Sequence, residues 1–502
     1  MQRNEFSIST KLWYSSLFYL FSVSGFAQLQ QNNRYEIHIS DRDTEYFVAP
    51  AKTNGALIYR YGTAKKQDYL DLIYLDTVFT EVWRNQLSLE KKFVLAHQRT
   101  VGYQQFLLCH NREFTTINFH LYAIDLHTGA SEKYVIENYI PFMPTHFEVM
   151  SRGALIGGYY MGRIPVVLYF SFATQKTTVL PGLFNESGEL IQIRVNEDES
   201  FQVLIGARNF AKQKTIWIKS YDAVGTLKQN TALLPPENTS LLFGKAIKTE
   251  NENLVVAGTY GSRTSDYSKG LFIATVSNDG EQNQYIYPFT DLENFFSYMK
   301  AKKQKRMQDR IARKKVKGKK IKLQYRIMVH ELVADNNQFL LLGEAFYPVY
   351  KRDDRYNYGL ATSYAVPYVF DGYRYTHAIL IGFNKQGKLQ WDNSFEINDV
   401  KSFTLDQYVK MDTRNDRIAL LYLFDNRIRT KLIQENKVLE GKNYKNLTLG
   451  FQPEDQDEND DIKKLEYWYD GAFLAYGVER PPSRSLTRSR QRVFFVNKIS
   501  YQ

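Results

Sequence analysis

An all-β fold assembled from repeated four-stranded units is what this sequence predicts, and three observations predict it. Short apolar runs recur with a period of about forty-five residues. Tight polar or glycine-containing turns separate them. A single cysteine, Cys109, leaves no intramolecular disulfide to make, so stability has to come from buried apolar surface, which 502 residues can supply. Cys109 itself lies in the apolar run QQFLLCH and is expected to be a buried, inert thiol.

The amino terminus is read first. Arg3 and Lys11 flank a polar start, Leu12 to Val23 form the apolar run LWYSSLFYLFSV, and Gly25 and Ala27 stand at −3 and −1 of a cut after Ala27. That run is too short to span a bilayer and right for a secretory signal. Residues 1–27 are therefore expected to be a signal peptide and the mature chain to begin at Gln28. The F-A-Q junction resembles signal ends common in Bacteroidota, which implies export to the periplasm. No cysteine follows the cut, so no lipid anchor is expected.

Eight units follow, near 44–90, 92–139, 146–182, 190–233, 241–288, 325–398, 403–448 and 462–502. Their second strands read ALIYRYG, FLLCHNR, ALIGGYY, VLIGARN, LVVAGTY, LLLGEAF, ALLYLFD and AFLAYGV. Small residues near the centre of these strands suit sheets that narrow toward an axis. Turns such as HTG at Thr128, AVG at Val224, NDG at Asp279 and KQG at Gln386 join third strands to fourth. The last unit reaches only a third strand, VFFVNKIS. YEIHIS, from Tyr35 to Ser40, precedes the first unit and is expected to supply the missing strand and close a ring.

This pattern resembles the β-propeller superfamily, at the level of architecture alone. No WD series, kelch diglycine or Asp-box is present, so no named family lends functional residues. The resemblance implies a β-propeller domain over 28–502, with eight blades counted and seven the alternative. A pair of β-sandwiches or a solenoid are the other folds with such strands.

The charge is local. The formal net charge is +11, yet Lys300 to Lys322 holds thirteen cations and one acid (13 − 1 = +12), leaving −1 for the remainder. In a four-stranded meander, the second-to-third and blade-to-blade connections emerge on one face, and every long or biased segment falls among them. Residues 291–322 form one such insertion. Phe295 with Met299, and Met307 with Ile311, are spaced i, i+4, which predicts a basic helix opening at Asp291 and ended by Gly318. It is expected to dock through Phe295, Phe296 and Met299 and to project beyond them. Its candidate anion-binding residues are Lys302, Lys303, Lys305, Arg306, Arg310, Arg313, Lys314, Lys315 and Lys317.

Residues 346–375 form a Tyr/Arg-rich loop insertion. Tyrosine and arginine supply rigid contact area at interfaces, so Tyr350, Arg352, Arg355, Tyr356, Tyr358, Tyr364, Tyr368, Tyr373 and Arg374 are the candidate partner-binding residues. RPPSRSLTRSRQR, Arg480 to Arg492, emerges at the same place in the eighth unit. The acidic run EDQDENDD, Glu454 to Asp461, precedes that unit. Asp455, Asp457, Asn459 and Asp461 alternate as in the start of a calcium loop, and Glu466 takes its twelfth position. Asp460 replaces the turn glycine, and the run is expected to be a solvated linker with no metal.

Catalytic motifs are not found. The eight histidines make no metal-ligand spacing, and there is no GxSxG elbow or P-loop. Neither a cofactor nor nucleic acid is expected. An exported interaction or scaffold module of the cell envelope is the expected function, binding an envelope protein or an anionic envelope component, with peripheral membrane contact allowed. The other reading is a carbohydrate-binding or glycan-hydrolysing propeller with axial carboxylates, for which Glu344, Asp425 and Glu479 are candidates because they follow second strands.

Overall fold

The structure is a computed structural model that describes residues 29–40, 44–64, 67–183, 187–319, 321, 323, 325–352, 368–414, 416–434, 436–447, 463–479 and 491–501. Eight antiparallel four-stranded sheets follow one another as blades over 46–89, 93–136, 144–179, 189–233, 239–288, 326–396, 410–446 and 464–501. The eighth takes its outermost strand, Leu29–Ser40, from the other end of the chain, paired from Leu29 opposite Tyr501 to Ser40 opposite Gln491. The expected closing strand is there, and it is longer than YEIHIS.

The apolar core shows why the blades make a ring. Consecutive residues of a strand point to opposite faces, and in the second strand of blade 2 this splits the core in two. Leu107 and Cys109 join a cluster with blade 1, whereas Phe106 and Leu108 join one with blade 3. Further clusters bridge blades 3 and 4, 4 and 5, 5 and 6, 6 and 7, and 7 and 8. The last bridges blade 8 back to blade 1, where Trp468 Nε1 donates to the carbonyl of Gly55 at 2.8 Å. Strands buried on both faces need near-continuous apolar sequence, which explains runs such as LLLGEAF. Close approach explains a small residue: a Cβ on Gly157 would lie 2.6 Å from Leu190 Cδ2 and 2.8 Å from Ile193 Cδ1 of the next blade.

Three expectations change. Blade 7 begins at Lys410, not near 403, because residues 397–409 cross between blades and pair with blade 6 through Lys401–Ser402. The helix spans Ala301–Val316 and does not open at Asp291. Asp392, on the outer strand of blade 6, accepts the backbone N–H groups of Glu293 (2.9 Å) and Asn294 (2.8 Å), which holds that stretch in a non-helical turn. Residues 346–375 are not a loop at their base. The second and third strands of blade 6, Gln338–Arg352 and Tyr368–Asn384, continue past the blade as a two-stranded ribbon in which Arg352 pairs with Tyr368.

No helix among the described residues is long and apolar enough to cross a membrane.

Candidate interaction face

Both insertions leave the ring at the same end of blade 6. Arg326, where the chain returns from the basic insertion, pairs with Phe346, where the ribbon departs. Pairing of Tyr373 with Ser402 and Arg374 with Lys401 adds the blade 6 to blade 7 connection at the same rim.

The basic insertion is anchored at intervals from Phe289 to Lys315. Phe289, Leu292, Phe295 and Phe296 are buried in the core between blades 5 and 6. Tyr298 stacks on the buried His377 at 3.8 Å between ring centroids, and its hydroxyl lies 3.1 Å from that of Tyr325. Burial pushes His377 down to about 3, so its ring is neutral. In the helix, Met307 and Ile311 pack on the same core, and Lys315 Nζ reaches the Thr290 carbonyl (3.1 Å) and Asp291 (2.6 Å). These three residues are spaced i, i+4, i+8, so a single stripe docks. Gly318, at φ +61°, ends the helix as predicted, with Lys319 N–H bonded to the Lys314 carbonyl at 2.9 Å and Gly318 N–H to that of Lys315 at 3.0 Å, the double bond of a Schellman cap.

The expectation of a projecting arm is therefore corrected: the apolar stripe continues past Met299 and lays the helix down. Of its nine candidate cations, Lys315 is engaged within the protein, Lys314 is half-buried, and Arg313 turns its Nε onto the Asp309 carbonyl at 3.2 Å. Lys302, Lys303, Lys305, Arg306, Arg310 and Lys317 are exposed, and no side-chain bond or ion pair engages them among the described residues.

The ribbon carries a run of aromatic rings. Phe346 meets Tyr373 edge-on at 5.5 Å, Tyr373 meets Phe370 at 4.9 Å, and Phe370 touches Tyr350 at 5.9 Å and Phe403 at 6.4 Å. Tyr347, Tyr350, Tyr368, Phe370, Phe403 and Leu405 remain exposed. Gly372, at φ +106°, permits the close approach of the connection, since a Cβ there would lie 2.9 Å from the Ser402 carbonyl oxygen. Asp371 bridges Lys351 (3.2 Å) and Lys401 (2.5 Å), and hydrogen bonds from these two ammonium groups hold its carboxyl below the ordinary range.

Among the candidate partner-binding residues, the structure brings Tyr350, Tyr368, Tyr373 and Arg374 onto one ribbon, with Arg352 at its described end. Arg374 faces Asp399 at 3.4 Å. Tyr375 belongs to the core and donates to the Asp406 carbonyl at 2.8 Å. Arg355, Tyr356, Tyr358 and Tyr364 lie outside the described residues, as do the calcium-loop candidates Asp455, Asp457, Asn459 and Asp461 and most of the arginine-rich 480–492 segment. Phe370, Phe403 and Leu405 were missed by sequence reasoning. The signal available was KSFTL, an apolar pair amid polar residues with no strand partner in its own unit.

The candidate axial carboxylates fall on blades 6, 7 and 8. Glu344 is buried within its strand and accepts hydrogen bonds from the backbone N–H groups of Tyr408 (3.1 Å) and Val409 (2.5 Å), with His330 Nε2 at 3.0 Å. Glu479 is buried against Arg34. Asp425 is exposed in a turn of blade 7. All three stand on or just after second strands, one strand removed from the innermost.

No protein-family model matches the chain, and no curated protein matches it. Solved structures similar to it include one from a study of two prolyl endopeptidases, at 11% identity and a TM-score of 0.42, covering 87% of this chain and 54% of that one. The β-propeller domain of the Trilobed protease from Pyrococcus furiosus is 11% identical at a TM-score of 0.37, covering 77% and 90%. A PL25 ulvan lyase is 9% identical at 0.41, covering 80% and 91%. The chain spans about half the length of the prolyl endopeptidase. Resemblances of this size carry neither family nor activity.

Proposed function

We propose that this eight-bladed β-propeller is an interaction module of the cell envelope, exported to the periplasm, that docks a protein partner through the rim bearing both insertions of blade 6. One observation carries the reading: exposed aromatic rings and unpaired cations leave the ring side by side, at the register where Arg326 meets Phe346. Exposed aromatic clusters supply most of the affinity of protein contacts. Exposed cations speed and orient encounter with an acidic surface, and their effect falls with salt. The partner that fits is a protein with an apolar patch bordered by acids. The helix offers only a narrow apolar stripe, and that stripe is used inside the protein.

The test is capture from envelope membranes at low and high salt with three forms of the protein. The wild type should retain a partner with an acidic surface. Tyr350→Ser with Phe370→Ser and Phe403→Ser should abolish capture at any salt. Lys302→Glu with Lys305→Glu and Arg310→Glu should lose the salt-sensitive part. Retention of the same partner by both variants, or capture of lipid or nucleic acid in its place, refutes the proposal.

A further inference from the structure

The opposite rim holds a different kind of site. A cavity of about 670 Å³ is lined by the innermost strands of blades 4, 5 and 6 and by the turns that follow them. Arg194 and Lys245 stand at its inner end. No side-chain hydrogen bond or ion pair engages the Arg194 guanidinium among the described residues. Lys245 Nζ reaches the Ile191 carbonyl at 3.4 Å and lies 5.5 Å from the centre of the Phe243 ring, with no carboxylate in an ion pair with it among the described residues. Burial lowers both groups, and the carboxylate of Glu148 works against that shift in each. Glu148 is already committed, with both oxygens bonded to Arg99 at 3.1 and 2.9 Å. Three cations thus share one carboxylate. His146, next to them, adds no charge, because burial and the Lys245 ammonium push it down to about 4.

The mouth has the other sign. Glu197, Asp198, Glu250 and Glu252 line it with Lys248 and Lys385, and Glu331, which accepts from Gln407 Nε2 at 2.7 Å, adds a fifth acid on the blade 6 wall. Lys248 is held between Asp198 (2.9 Å) and Glu252 (2.7 Å). A ligand with negative charge at both ends is repelled at the mouth, and one with a single inner negative end is not. A planar guanidinium with free donors matches a carboxylate bidentately.

We infer that this cavity binds a small ligand carrying one carboxylate, placed against Arg194 and Lys245, with its uncharged or cationic remainder toward the acidic mouth. The site lies on the rim away from the docking face, so it stands or falls independently of the proposed function.

The experiment is calorimetric titration and thermal melting of the whole protein with N-acetylglycine, N-acetylglycinamide, citrate and inorganic phosphate. N-acetylglycine should bind saturably and raise the melting temperature, with the amide inert and both citrate and phosphate weaker. Arg194→Met and Lys245→Met should each weaken N-acetylglycine about tenfold to a hundredfold, the loss expected for a hydrogen bond to a charged group. Without ligand, Arg194→Met should melt no lower than the wild type, since the guanidinium makes no hydrogen bond or ion pair among the described residues and burial outweighs its attraction to Glu148. Absence of binding, equal binding of the amide, tighter binding of citrate or phosphate, unaltered affinity in the Arg194 variant, or its early melting overturns the assignment.

Discussion

Arg34 Nη2 lies 3.2 Å from the buried carboxylate of Glu479, reaching across the strand between them. On the way its guanidinium passes 4.6 Å from the ring of Phe495 and lies 3.5 Å from Asn497 Oδ1. The strand that completes blade 8 is thus held by charge as well as by its ladder. Taking the cation away from a buried carboxylate costs about 3 kcal/mol. Arg34→Met should lose that much in denaturant unfolding. Arg34→Met with Glu479→Gln should recover most of it, and a double-mutant cycle reads the coupling directly.

The helix stripe separates anchoring from display. Ile311→Ala should destabilise the protein by about 2 kcal/mol, at the low end for a buried isoleucine because it packs at the margin of the core. Charge reversal at Lys302, Lys305 and Arg310 should leave the melting temperature within a degree or two, since exposed charges contribute little to stability. Paired melting curves test both.

Acid should weaken the anchor of the basic insertion. His377 titrates near 3 in the folded protein, far below its ordinary value of 6.5, because burial disfavours the charged ring. The unfolded chain therefore takes up a proton that the folded one refuses. Stability is complete above about pH 6.5 and falls as pH drops from there toward 3, by about 1.4 kcal/mol per pH unit from this residue. His377→Gln should flatten the profile of unfolding free energy against pH over that window. Hydrogen exchange at Phe295 to Met299 should rise in acid first.

Gly372 limits a smaller unit. Its Cβ would press on the Ser402 carbonyl and the backbone there is left-handed, so Gly372→Ala should detach Lys401–Ser402 from the ribbon. Exchange of the 397–409 amides should accelerate while global melting changes little, because the blade's own strands are untouched.

Cys109 is fully buried between blades 1 and 2, which pushes its thiol up to about 12. An uncharged, enclosed thiol does not attack. Ellman's reagent should find no thiol in the native protein and one after denaturation.

The ring was legible because its information is local: each second strand is apolar on both faces, and each turn carries its own polar or glycine signal. The first turns of the basic insertion were not, because their conformation depends on Asp392, 98 residues away from Asn294. Amphipathic spacing at Phe295 and Met299 pointed to a helix, and burial of Phe295 and Phe296 in a groove between blades overrode it. The ribbon was hidden for a related reason. Tyr347 and Arg374 face each other in register, but their spacing alone does not distinguish a paired strand from a loop. Arg194 and Lys245 drew no notice as ordinary strand cations, since only the ring brings their blades together.

The seam of blade 8 has a kinetic consequence. Asn32 bonds to Ser500 across 468 residues of sequence. A pairing that distant forms late, since the loop it closes must first be ordered by nearer contacts. During synthesis seven sheets can stack in turn, each against its predecessor, while the first strand waits without a neighbour. The molecule should therefore pass through an open crescent whose two raw edges are the surfaces most exposed to aggregation, and snapping the seam shut is the step that a holding chaperone would protect.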